Sequence, residues 1–468
     1  MNQRVFAGLD VGSSSLKYSL IDADTGAVVL NGKRGYDDPG ALGRRPALVY
    51  ESAVAATLEE LSASFEIVST ALSTQMYSLL ERSSDGLLVH QWNSSWSAAS
   101  ASLAPEERVK SELFSVSGCP DGILFPARKL SRIPRGARAR FLPWGIKEYL
   151  LERLTGVLTS DYTTASASGF LDVHTGSWNA GLIAAMGFDP ERFPRIQAHN
   201  EGIGPVVPGP CASAGLVAPG LGDGPSASYA CREISSTCGN LGTSTAVRRI
   251  AESLEGAQAE SLWRFRLSAT HYVYGAISAN GCGIIDWSKS KLQSSGASSL
   301  LGATDPLFFP WMNGEFSPFW NADARGVYWG ISPGATPELF HSAVIEGVAF
   351  AVALMIDLVC AQPPATDRVV FGGGGINNAR LLETIGAVVP QELVLLEDSE
   401  HLVSIGAAIS AAEACGERVD YRPDARNLPA SHNPVPAERY HRWRELAARL
   451  QAEMSQAGAG KMHGQGPS

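Results

Sequence analysis

Two short stretches, far apart in the chain, follow one pattern, and that pairing limits the fold more than any other feature. Asp10-Val11-Gly12-Ser13-Ser14-Ser15 is matched position for position by Asn240-Leu241-Gly242-Thr243-Ser244-Thr245. Each begins with an acid or its amide isostere and continues into one glycine and three hydroxyl residues. Val5-Phe6-Ala7 before the first copy and Tyr18-Ser19-Leu20-Ile21 after it read as short buried strands. A turn of this kind offers backbone N–H groups and hydroxyl donors to an oxyanion. Asp10 could hold a hydrated cation beside that anion, and Lys17 stands at the exit. Taken alone, the first turn reads equally well as an ordinary Gly/Ser hairpin. The second copy points instead to two related halves, each bringing a hydroxyl-rich turn to one cleft. One turn keeps the acid and suits the metal side; the other, with Asn240, suits a plain phosphate cradle.

The chain's 468 residues are enough for two or three domains with full cores. A net charge of −10 without a Lys/Arg-rich run argues against a nucleic-acid partner. The seven cysteines are scattered and form no C-x-x-C pair, as expected of reduced thiols in a cytoplasm. Met1-Asn2-Gln3-Arg4 leads directly into the first strand, so no signal peptide is expected. No run is expected to span a membrane.

Along the chain, helices are predicted over 53–65, 143–154, 339–358, 379–389, 404–415 and 437–454, and strands over 67–72, 369–371 and 394–396. Thr336 and Pro337 supply an N-cap and a first helical residue. Asp161, before Tyr162-Thr163-Thr164, reads as an N-cap rather than a catalyst. The stretch Gln91-Trp92-Asn93-Ser94-Ser95-Trp96 reads as a loop or as the lining of a polar pocket. The densest glycine and proline lie between 205 and 225, where Gly222-Asp223-Gly224 presents one carboxylate on closely approaching backbone. A solvated turn aspartate is the plain reading of Asp223; the hydroxyl turn that follows places it on the lip of the proposed cleft. Gly372-Gly373-Gly374-Gly375 joins a strand to a helix and lets a flat group such as a purine lie on bare backbone. It matches neither a Walker loop nor a dinucleotide fingerprint, and its late place in the chain and its spacing argue against an NAD-dependent redox enzyme.

Taken together, these residues resemble the FGGY family of carbohydrate kinases. The resemblance runs from about Val5 to about Leu450. The segment from Asp10 to Lys17 resembles the family's first phosphate motif, Gly242-Thr243-Ser244 its second, and Phe371-Gly372-Gly373-Gly374 with Asn377 its adenosine motif. Pro310-Trp311-Met312-Asn313-Gly314-Glu315, with Pro318, Trp320 and Ala324-Arg325-Gly326, resembles a signature of the second half. Residues 144–154, Asp161-Tyr162-Thr163-Thr164-Ala165-Ser166 and Gly118-Cys119-Pro120 are similar to the gluconokinase and xylulokinase branches.

The resemblance implies an α/β fold of two actin-like (ribonuclease-H-like) ATPase domains with duplicated mixed-sheet cores around a central cleft. The expected boundaries are 1–230 for the sugar pocket, first turn and catalytic acid, 231–425 for the second turn and adenosine site, and 426–468 for a C-terminal helix and tail. It implies a kinase that uses ATP and Mg²⁺ to phosphorylate a small sugar, polyol or aldonic acid, gluconate- or xylulose-like. Asp223 takes the place of the catalytic base. Asp10, with Asp223, takes the metal side. Gly12, Ser13, Ser14, Lys17, Gly242, Thr243, Gly373, Gly374 and Asn377 fall at the nucleotide, and Gln75, Met76, Tyr77, Trp92 and Asp223 at the acceptor. No membrane partner is expected, and a homodimer is left open.

Two departures stand out. The branch usually carries Gln-Met-His-Gly where this chain has Gln75-Met76-Tyr77-Ser78, and Trp-x-Asp-x-Arg where it has Trp92-Asn93-Ser94-Ser95-Trp96. Losing an acid and an arginine together keeps the charge balanced. The pocket is then either refitted for another acceptor, or the chain is a nucleotide-binding regulatory or scaffold protein of the same fold. The intact acids and turns favour a working kinase.

Overall fold

The computed structural model describes residues 2–38, 43–92, 114–122, 124–205, 213–254, 261–296, 301–362, 365–429 and 435–462. Asn93, Ser94, Ser95 and Trp96, at which the second departure falls, lie outside them.

The first sheet starts as an antiparallel meander that contains both strands expected about the first turn: β1 (Gln3–Val11), β2 (Ser15–Asp22) and β3 (Val28–Gly35) pair in turn. Helix α1 (Ala47–Ser62) leads to β4 (Phe65–Thr74), which lies parallel to β1. The chain then builds a small four-stranded sheet, α2 (Ile146–Thr155) and α3 (Tyr162–Ser168) before returning as β5 (Leu216–Ala218), parallel to β4. The core order is β5-β4-β1-β2-β3, with Gly204–Pro205 pairing on the outer edge of β5. Alternate residues of β1 serve opposite faces, as the two-residue period requires. Val5, Ala7, Leu9 and Val11 enter one buried cluster with α1 and α2, and Phe6 enters another. Burial on both faces is why β1 reads as an unbroken apolar run.

Helix α4 (Asp223–Ala230) leads into the second sheet. There β6 (Thr237–Leu241), β7 (Thr245–Ala251), β8 (Trp263–Arg266) and β9 (Tyr272–Ser278) are antiparallel. Helices α5 (Cys282–Lys291) and α6 (Pro337–Cys360) follow, then β10 (Arg368–Gly372), α7 (Ala379–Val388), β11 (Glu392–Leu396), α8 (Leu402–Ala414), β12 (Ala425–Asn427) and α9 (Val435–Met462). Strand β10 lies parallel to β6, and β11 parallel to β10. The order β9-β7-β6-β10-β11 thus repeats β3-β2-β1-β4-β5, with β8 and β12 added at the edges. This is the duplicated mixed-sheet architecture expected from the two turns.

The copies differ at the turn itself. Pairing of Val11 with Leu16 leaves four residues in the first turn, whereas pairing of Leu241 with Thr245 leaves three in the second. The match therefore holds along the approaching strand and slips by one residue in the loop. Asp10 faces Lys17 across its hairpin, while Asn240 faces Ala246.

Helices α4 and α8 fill the space between the sheets. Phe6, Ile21, Ala71 and Ala218 of the first sheet share one buried cluster with Val370, Val394 and Leu396 of the second and with Ile405, Ala408 and Ile409 of α8. Close approach makes this possible. A Cβ on Gly8 would lie 1.9 Å from the Ser404 carbonyl oxygen, and one on Gly406 would lie 2.1 Å from that of Ser226.

Helix α6 begins as predicted, with the Thr336 hydroxyl accepting from the Leu339 N–H at 3.2 Å and Pro337 in its first turn. Among the described residues it is the one stretch long and apolar enough to cross a membrane, contrary to the expectation of none. With 89% of its apolar window buried inside the protein, it is a core helix. Helix α9, longer than predicted, is pinned over it. Trp443 is buried among Phe309 and Phe350, and the buried Arg439 guanidinium donates to both Glu346 carboxylate oxygens at 2.6–3.0 Å. No disulfide joins the described cysteines.

Candidate functional site

The first hydroxyl turn is tied down through its carbonyls. The Gly12 N–H donates to the Ser15 carbonyl at 3.1 Å, and the Tyr36 hydroxyl donates to the Gly12 carbonyl at 2.9 Å. Arg45 and Gln91 both donate to the Ser13 carbonyl, the latter at 3.1 Å. The second turn is closed by the Gly242 N–H on the Ser244 carbonyl at 3.1 Å and braced by the Cys282 N–H on the Gly242 carbonyl at 2.7 Å. The Asn240 amide reaches the Ser244 carbonyl at 3.3 Å. Asn240 thus does for its turn what a carboxylate could not, since an ionised acid has no donor.

Asp223 is the first residue of α4 and accepts from the Gly224 N–H at 2.8 Å. Burial raises its carboxyl above the ordinary range, opposed by the Arg248 guanidinium. Arg248 packs so closely that a Cβ on Gly224 would meet its Nε at 2.6 Å. At the end of β1, Asp10 is pushed up to about 7, first by burial, then by the charge of Asp223, with Lys17 opposing. Two carboxylates close enough to repel thus share their surroundings with a guanidinium and an ammonium.

A cavity of about 320 Å³ opens beside them. Met76, Tyr77, Trp92 and Asp223 line it from the first half, and Asn240, Ser244, Arg248, Trp263 and Gly373 from the second. Of the sequence-derived candidates it brings together Met76, Tyr77, Trp92, Asp223 and Gly373. Tyr77 holds a left-handed backbone (φ +64°), unusual for a bulky residue. Its carbonyl accepts from Lys129 Nζ at 2.9 Å, and its ring packs edge-on against Phe125. Burial raises the Tyr77 hydroxyl pKa, so it stays a neutral donor. Trp263 is almost fully buried, and its indole N–H has no partner among the described residues.

Other candidates fall elsewhere. Gln75 does not line the cavity; it is buried behind it, its amide donating to the Tyr50 hydroxyl at 3.1 Å. Lys17 reaches the Glu400 carbonyl at 3.1 Å and lies 3.5 Å from the Glu400 carboxylate. Gly12, Ser13, Ser14, Gly242, Thr243 and Gly374 are not in the cavity wall. Gly373 takes φ +96°, and a Cβ there would lie 2.6 Å from the Leu241 carbonyl oxygen. The glycine run is therefore pressed against the strand that ends in the second turn. Asn377 lines a separate hollow with Ile376, Glu383 and Arg426. Its neighbour Asn378 caps α7, accepting from the Leu381 N–H at 3.0 Å. Asp161 caps α3 as expected, accepting from the Thr163 and Thr164 N–H groups at 2.8 and 3.2 Å.

Sequence reasoning missed Arg248 and Trp263. The available signal was a cation on the strand leaving a phosphate-type turn, four residues after Ser244. Among the described residues no group of three or more His, Cys, Asp or Glu could cage a metal. An Asp10–Asp223 pair fits Mg²⁺ nonetheless, because that ion is commonly held by one or two carboxylates together with substrate phosphates and water.

The sequence matches the FGGY family of carbohydrate kinases, N-terminal domain, over residues 5–228, and the same family's C-terminal domain over residues 240–415. Among curated proteins it is similar to a gluconokinase of Bacillus subtilis (strain 168), at 22% identity over 92% of this chain and 91% of that one. It is also similar to a xylulose kinase of Escherichia coli (strain K12), at 25% identity over 63% of this chain and 64% of that one. Among solved structures, a ligand-bound xylulose kinase from Lactobacillus acidophilus superposes with a TM-score of 0.82 at 22% identity, covering 97% of this chain and 98% of that one.

Proposed function

The chain belongs to the FGGY family of carbohydrate kinases, and from that premise we propose that it transfers the γ-phosphoryl of Mg-ATP to a hydroxyl of a small sugar, polyol or aldonic acid, with Asp223 as general base. Sugar kinase activity and ATP as donor come with the family. The acceptor class draws on the gluconokinase and xylulose kinase relatives. The observation that carries the reading is the position of Asp223, in the wall of a cavity lined from both halves and beside Arg248.

In this reading the acceptor hydroxyl gives its proton to the Asp223 carboxylate as its oxygen attacks the γ-phosphorus, and ADP leaves. Burial makes Asp223 a stronger base than a free carboxylate. Arg248, whose guanidinium donates to the Asn240 side-chain oxygen at 3.4 Å and lines the same cavity, stabilises the charge of the transferring group. The N–H and hydroxyl groups of Ser13, Ser14 and Thr243 hold the phosphates, while Gly12 and Gly242, whose own N–H groups close the turns at 3.1 Å, let the backbone come close. Gly373, Gly374 and Asn377 seat the adenosine. Bound between Asp10 and Asp223, Mg²⁺ would neutralise phosphate charge and relieve their mutual repulsion. Met76, Tyr77 and Trp92 shape the acceptor side. Domain limits of 1–230, 231–425 and 426–468 are part of the proposal.

A coupled ADP-release assay with D-gluconate, D-xylulose, glycerol and related polyols tests it. Asp223→Asn should lower turnover by about 10²–10⁴-fold, the usual worth of a general base, with ATP affinity retained. Near-normal turnover in that variant would remove Asp223 from the role. Silence of the wild-type protein across the panel, despite measurable ATP binding, would favour the nucleotide-binding scaffold.

A further inference from the structure

A fully buried ion pair beneath the cavity has no part in the chemistry above. Lys147 on α2 and Asp161 at the head of α3 are both 0% exposed, with Nζ 2.6 Å from Oδ2. Removing two charges from water costs more than their attraction usually returns, so such a pair is weak evidence of stabilisation. Its remaining hydrogen bonds show what else it does. Lys147 Nζ also donates to the Gly220 carbonyl at 2.9 Å. Asp161 Oδ1 accepts from the Thr163 hydroxyl, and that hydroxyl in turn accepts from the Gly222 N–H at 2.9 Å. The backbone is thus gripped at a carbonyl before Leu221 and at an amide after it, and the next residue is Asp223.

We propose that Lys147, Asp161 and Thr163 form a buried clamp that fixes the Asp223 carboxylate on the acceptor side of the cleft, as positioning residues for phosphoryl transfer. The proposal rests on the reading of Asp223 as base. The opposite flank of the gripped segment is equally constrained. Gly220 takes φ +63°, where a Cβ would lie 2.3 Å from the Leu72 carbonyl oxygen, and Gly222 bridges to Thr74 at the end of β4. Strand β4 on one side and α3 on the other leave the segment no room to shift.

The test uses the full-length protein with Mg-ATP and whichever of D-gluconate or D-xylulose the wild type phosphorylates. Thr163→Val keeps the side-chain shape but removes the hydroxyl relay. It should lose about 10–100-fold in kcat, the scale of a 1 Å misplacement, with the KM for ATP little changed. Thr163→Ser restores the hydroxyl and should recover most of that loss. Lys147→Met/Asp161→Asn, which leaves no unpaired buried charge, should lose kcat likewise. A folded Thr163→Val or double variant with wild-type kcat, or a Thr163→Ser variant that recovers none of the loss, overturns the clamp. If Asp223→Asn itself turns over normally, the base assignment falls and the clamp with it; a slow Asp223→Asn beside a wild-type Thr163→Val removes the clamp alone.

Discussion

At the scale of single residues, the two halves differ most tellingly at Asp10 and Asn240, which occupy the same place in duplicated hairpins. The ionised Asp10 is disfavoured: burial and the Asp223 charge push its carboxyl up to about 7, against an ordinary value of 3.8. Between those values the folded chain keeps a proton that the unfolded chain has lost. The stabilisation from holding that proton is complete below pH 4 and disappears as pH rises through 7. Asp10→Asn, which installs the residue of the second turn, should therefore be more stable than the wild type at pH 8 without nucleotide. The expected gain is on the order of 1–2 kcal/mol, because one pKa unit is worth about 1.4 kcal/mol and solvent screens a partly exposed group. Chemical denaturation at pH 5 and pH 8 checks this, since the advantage should shrink at the lower pH. The acids themselves were legible in the sequence because each sits in a short pattern of glycines and hydroxyls. Arg248, Trp263 and Lys147 were not, because each gains its meaning from what the fold sets beside it: the cavity wall shared with Met76 and Asp223 for the first two, the Gly220 carbonyl for the third. Gln75 shows the converse. Its motif was recognisable, but its side chain is used behind the cavity, on Tyr50.

At the scale of elements, local signals located the helices and tertiary packing decided what they do. Thr336 and Pro337 announce α6, and Asp161 announces α3, because caps are satisfied within one turn. Helix α1 starts earlier than its apolar pattern predicts, directly after Pro46. Nothing local distinguishes α8 from any other apolar helix, yet it is the wedge between the two sheets. Its contact with α4 depends on Gly406. Gly406→Ala should cost roughly 1–3 kcal/mol, the range for overpacking a filled core, because the new Cβ would lie 2.1 Å from the Ser226 carbonyl oxygen. Gly334→Ala, where a Cβ meets nothing within 4 Å, is the control and should change stability little. Denaturation midpoints of the two variants separate these outcomes.

At the scale of the whole molecule, the cavity is lined from both halves, so under the proposed function binding of both substrates should draw the halves together and exclude water from the reaction. Solution scattering should show a smaller radius of gyration with ATP analogue and acceptor than with neither. An unchanged radius with both bound would count against closure. The wedge helix carries one more implication. Residues 402–414 cover the face of a sheet whose strands begin at Gln3, so during synthesis that face emerges hundreds of residues before its cover exists. A ribosome-bound N-terminal half displays Phe6, Ile21 and Ala71 to solvent until nearly the whole chain has been made, and a gene cut after residue 230 would leave them exposed for good.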